Sequence, residues 1–337
     1  MDAAVNAETT NAATGADGVS AETAATGTAN AEATSTAKAP RGDTTAGVEA
    51  TSPAGETLPR VGRLVATVLA GVSLVWLAAT FVTAHATVLG NSDVYPVALG
   101  AAAFALPNLV AAALVAGTAV GLAGTAWVPW ADRPVRRLLV GLAAGLGVGG
   151  VCAGLVFFGY GSVTALAVTV AVAAVLGGAS SAAPPPVLAA GLLGTLGALL
   201  VGLVAGFAQP DLVNLFGGDR GLDAQVNATF AVAYLVGVAA GVVGGGASFW
   251  LLRRHGPRAW PWYLLAGVLP GVLLLVAELT TRVGGADLLN AVRRLSEGDR
   301  MTVDIAAFAR LRNAMIVTFI GGLTAMLAVG RTLRPSR

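Results

Sequence analysis

The chain is short of the residues most chemistry needs: one lysine, two histidines and one cysteine in 337 residues, with charged residues at 11% against roughly 25% in a soluble domain. The single Cys152 excludes an intramolecular disulfide and a thiolate metal cluster. His85 and His255 fall at opposite ends of the helices read below, so no tetrahedral His/Cys metal site can assemble. No metal and no cofactor are expected. The only lysine, Lys38, lies in an N-terminal tail, and no GxxxxGK[ST] loop is present, so nucleotide-driven work would need another subunit. A serine protease within the membrane needs its serine and base at one depth. Ser180 and Ser181 fall at the predicted cytoplasmic end and His85 at the other. Of the ionisable residues only Glu278 lies inside an apolar run, which disfavours a proton relay or a voltage sensor, both built on charges at membrane depth.

What the chain has is apolar length. Hydrophobic residues make up 55%, and a bilayer core of about 30 Å needs about 20 of them per helix. Such runs occupy 64–84, 97–124, 138–159, 162–179, 186–208, 229–251, 262–280 and 313–330. The fold class is therefore all-α, a polytopic membrane bundle of about eight helices over 60–337. Residues 1–59 hold no aromatic residue and are rich in Ala, Thr, Gly and Glu, so they are expected to be a disordered acidic tail. They are not read as a signal peptide, because the first apolar run begins only at Leu64.

Arginine sets the orientation, since cytoplasmic loops carry the excess of positive charge. Arg60 and Arg63 precede the first run, Arg133, Arg136 and Arg137 fill the second gap, Arg253, Arg254 and Arg258 the sixth, and Arg331, Arg334 and Arg337 follow the last. Both termini are expected in the cytoplasm. The basic pI reflects these flanks, so no nucleic acid is expected as a partner. Because Arg137 and Arg253 must share a side, 162–179 and 186–208 either both cross or both fail. Trp127, Trp130, Trp250, Trp260 and Trp262 fall at the cytoplasmic boundary, where amphipathic rings are favoured. Trp76 is the exception, in mid-helix. The gap 281–312 is a second irregularity, external by parity yet holding Arg282, Arg293, Arg294, Arg300, Arg310 and Arg312. Nineteen arginines against one lysine, with abundant Ala and Gly, point to a high-GC bacterial genome and so to a bacterial plasma membrane.

Small residues recur every four positions, which lets helices approach closely where lipid gives no hydrophobic drive. The rows are Ala113, Gly117, Gly121; Gly141, Gly145, Gly149, Ala153; Ala190, Gly194, Ala198, Gly202, Gly206; and Ala233, Gly237, Gly241, Gly245. They are expected to be packing grooves, with Gly202 at the centre of the longest, or else a substrate path or surfaces for a protein partner or a second copy. Pro107, beside Asn108, and Pro270 interrupt helices two and seven.

Candidate ligand-binding residues are Glu278, Arg282, Arg310 and Arg312, with Asp93 and Asp211 as further external acids. The spacing of Glu278 and Arg282 is also that of an ordinary helix-surface pair. Pro210 to Phe216 is expected to lie flat at the outer interface, Leu288 to Leu295 to form a short amphipathic helix ended by Gly298, and Thr302 with Asp304 to start a helix running into the eighth span. Three roles remain open: a scaffold or accessory subunit, a carrier of a small molecule or lipid, and an enzyme acting on a lipid-linked substrate. The scarcity of polar residues in the apolar runs favours a non-enzymatic role, with membrane lipids as constant partners and no catalytic residue assigned.

Overall fold

The computed structural model describes residues 62–89, 95–131, 133–160, 164–218, 221–256 and 259–332. The expected tail 1–59, Asp93 and the turn after Tyr160 lie outside them. The described residues form helices α1 (Arg63–Leu89), α2 (Tyr95–Trp127), α3 (Pro134–Tyr160), α4 (Thr164–Ala179), α5 (Pro185–Phe207), α6 (Gln209–Leu215), α7 (Leu222–Arg254), α8 (Trp260–Gly284), α9 (Ala286–Arg293) and α10 (Glu297–Gly330). Eight of these, all but α6 and α9, are long and apolar enough to cross a membrane. Both α4 and α5 qualify, as the parity of the arginine clusters requires.

Local chemistry marks the boundaries. Prolines start α3 and α5 and lie in the first turn of α8, where a missing N–H costs nothing. The last helix is longer than the run 313–330 because polar residues extend it past the apolar segment. It starts at Ser296, not at Thr302: the Ser296 hydroxyl accepts the Asp299 N–H at 3.0 Å, and Glu297 and Asp299 face the positive end of the helix dipole. Thr302 instead donates to Gly298 O at 2.8 Å, inside the helix. The amphipathic α9 closes at Arg293, so Gly298 belongs to the first turn of α10 and does not end α9.

The bundle is two four-helix units in sequence. In the first, α2 packs on α1, α3 and α4, and α3 on α4; in the second, α7 packs on α5, α8 and α10, and α8 on α10. The glycines repeat with the contacts. Helix α2 carries Gly117 and Gly121, and α7 carries Gly241 and Gly245. Helix α3 has Gly141 and Gly145 at its start, and α8 has Gly267 and Gly271 at the same offsets. Helix α4 ends in Gly177-Gly178, and α10 carries Gly321-Gly322. A Cβ added at Gly121 would lie 3.2 Å from Gly178 O, and one at Gly145 3.2 Å from Gly178 Cα. In the second unit a Cβ at Gly267 would lie 2.6 Å from Gly321 O, and one at Gly245 2.9 Å from Gly321 Cα. Each unit is thus pinned where its last helix meets the other two, backbone against backbone. The likeness is limited to these close approaches, since α5 also packs on α8 whereas α1 makes no comparable contact with α3.

Candidate functional site

Between the units lies a chamber of about 780 Å³, walled by α1 and α2 from the first and by α5, α7, α8 and α10 from the second. It occupies the half of the bundle in which α1, α5 and α8 end. Its volume falls within the roughly 300–1,000 Å³ of small-molecule sites.

Helical spacing explains each wall. Trp76, Thr80, Thr83 and Thr87 recur every three or four residues along one face of α1 and line the chamber. This accounts for Trp76 in mid-helix, which lines an open chamber. Thr80 and Thr83 donate their hydroxyl protons to helix carbonyls, as in Thr80 to Leu77 O at 2.8 Å and Thr83 to Thr80 O at 3.0 Å, so this wall offers methyls and lone pairs but few donors. Helix α2 contributes Phe104, Pro107 and Asn108. On α10, Arg310, Asn313 and Val317 share one face, and the Asn313 Oδ1 is buried without a hydrogen-bond partner among the described residues.

The long α5 row needs correction. At its lower end Gly194 packs as expected, since an added Cβ would lie 2.5 Å from Gly244 O and 2.9 Å from the Pro270 ring. Gly202 and Gly206 have no neighbour within 4 Å and line the chamber instead. Their missing side chains make volume, not contact. Gly202→Leu is therefore expected to leave the melting temperature in detergent within about 2 °C of wild type, since exposed substitutions shift stability by about 0.5 kcal/mol or less. A larger loss would place a helix against Gly202.

The charged end of the chamber is built round Glu278 of α8, which is only 4% exposed. Its Oε1 accepts from Arg282 Nε at 3.0 Å and its Oε2 from Arg310 Nε at 2.8 Å. Arg282 also donates through Nη2 to Ala307 O at 3.1 Å, one turn before Arg310 on α10. What looked like a helix-surface pair is a three-residue cluster joining two helices, with a formal charge of +1. Glu278 and Arg310 line the chamber, whereas Arg282 stands beside it.

Arg312 does not join the cluster. Two residues beyond Arg310, it points to another face of α10, with its guanidinium 5.5 Å from the centre of the Phe230 ring. Asp211, on α6, is exposed and away from the chamber lining. Arg293 pairs with Asp304 at 2.7 Å and with Asn290 Oδ1 at 3.1 Å. Four of the six arginines that made 281–312 irregular therefore have partners: Arg282 and Arg310 on Glu278, Arg293 on Asp304, and Arg312 over Phe230. Sequence reasoning missed Trp76, the α1 threonines and Asn313 as lining residues. The signal was the three- and four-residue spacing of Trp76, Thr80, Thr83 and Thr87 on an otherwise apolar helix.

The chain is a multi-pass α-helical membrane protein with a chamber between two four-helix units. Comparison with protein families, with curated proteins and with solved structures finds no match.

Proposed function

We propose that the chain is a non-enzymatic, transport-related protein of a bacterial plasma membrane, with both termini in the cytoplasm and its ligand site in the chamber. The position of that chamber carries the reading. Membrane carriers are commonly built from repeats, and substrates bind at the interface between them, near mid-membrane. Here the walls come from both units and reach from mid-helix to the Glu278 cluster. A scaffold has no use for an open chamber between helices with an ion-paired cluster in its wall. Catalysis is poorly served, because both oxygens of Glu278 are occupied by arginines and the described lining holds no second carboxylate for acid–base work.

Reactivity from one side of the membrane tests this. In a Cys152→Ser background, Asn313→Cys is expected to react with a membrane-impermeant maleimide added to intact cells, and adding Gly202→Trp is expected to block that reaction. Failure to react from either face of the membrane would mean a closed chamber and would remove the transport reading. Reaction only in inverted vesicles would leave the chamber and reverse the orientation.

A further inference from the structure

We infer that the ligand is an amphiphile with an acidic head group, a phosphate or a carboxylate, bound by the terminal nitrogens of Arg310 with its tail along the apolar walls; this rests on the chamber being a ligand site. Arg310 is tied to Glu278 through Nε alone, and its Nη1 and Nη2 have no partner among the described residues. The side chain is 30% exposed and lines the chamber. Two parallel N–H groups on a planar fork match the oxygens of a carboxylate or phosphate. Glu278 fixes the guanidinium from one side, and Arg282, itself held by Ala307 O, fixes Glu278. The fork is therefore ordered before a ligand arrives, which lowers the entropic cost of binding.

The walls decide the rest of the ligand. Apart from the threonines, two asparagines and the ion pair, the lining is alanine, glycine, leucine, valine, proline and aromatic rings. A lipid tail gains little by exchanging bilayer for such a wall, because the bilayer is equally apolar. Selectivity has to come from the head group, where a low dielectric strengthens attraction to the extra positive charge. A cationic head meets that charge unfavourably, and a neutral one makes only the weaker hydrogen bond of an uncharged acceptor to Arg310.

Trp76 in the chamber wall supplies the readout. The full chain in uncharged detergent is titrated with nitroxide-labelled stearate, its methyl ester and a nitroxide-labelled phosphatidate, with Trp76→Phe identifying the Trp76 share of the quenching. The acids are expected to quench Trp76 saturably and the ester to bind about tenfold or more weakly, as for a lost charge-assisted contact. Arg310→Gln is expected to bring acid binding to the level of the ester, whereas Glu278→Gln, whose amide oxygen can still accept from Arg310 Nε while a negative charge is removed, keeps or tightens it. Melting curves for both variants separate lost binding from lost fold. Equal binding of acid and ester, or an unchanged acid affinity in Arg310→Gln, overturns the head-group assignment and leaves the chamber reading intact. Displacement by inorganic phosphate alone at equal potency would assign a soluble anion instead and overturn the amphiphile. No saturable quenching by any probe sinks the chamber reading itself.

Discussion

Gly321→Leu is expected to abolish the folded bundle, giving no monodisperse species in detergent, and Gly178→Leu is expected to do the same. At Gly321 the obstacle is backbone, which has no rotamer to escape into: a Cβ there collides with Gly267 O and approaches Gly241 O at 3.5 Å. Overpacking a core costs roughly 1–3 kcal/mol where side chains can shift. Here α10 would have to leave α7 and α8 together, and most of the second unit's packing goes with it. Gly178 stands at the same crossing in the first unit, against Gly141 and Gly145. The leucine variants are best compared with Gly202→Leu, which adds the same side chain where nothing lies within 4 Å. A Gly321→Leu protein that purifies and melts like wild type would mean the three helices do not cross there.

That contrast shows what the sequence could convey. Helix count followed from apolar length, and the pairing of α4 with α5 from charge parity, because both depend on a constraint the membrane applies to every span. The glycine rows identified the right helix faces, but a row specifies a face and not its partner. On α5 one face passes from packed at Gly194 to open at Gly202 over about two turns. The likeness of the two glycine crossings was also legible in part: Gly117 and Gly121 with Gly141 and Gly145 are matched by Gly241 and Gly245 with Gly267 and Gly271, but that Gly178 answers to Gly321 shows only in the packing.

The site was readable in part for a related reason. Glu278 stood out because a lone carboxylate in an apolar run is costly, and Arg282 because it follows by one turn. Arg310 and Arg312 were indistinguishable by composition, and only the phase of α10 separates them, turning one to Glu278 and the other to Phe230. Asn313 gave no signal at all, since its role depends on being one turn from Arg310 on the face that meets the chamber.

Removing both arginines is expected to destabilise the protein by more than the sum of the single losses. Arg282→Ala or Arg310→Ala alone leaves Glu278 one charged partner, so each is expected to cost about 1–2 kcal/mol, reduced because the arginines are 42% and 30% exposed. The double variant strands a carboxylate that is 4% exposed, and an uncompensated buried charge costs roughly 3–5 kcal/mol. Glu278→Ala removes the shared partner and leaves two positive groups close together, yet both can turn toward open space. It is therefore expected to cost less than the double arginine variant. Denaturant titration of the four proteins in one detergent measures the coupling. Additivity within about 0.5 kcal/mol would mean that the cluster is not a unit and that Glu278 has relief other than these two arginines. A large coupling would mean that a structural need for an arginine on Glu278 and a free fork on Arg310 are met together: Arg282 and the Nε of Arg310 hold the carboxylate, which leaves Nη1 and Nη2 of Arg310 to a ligand.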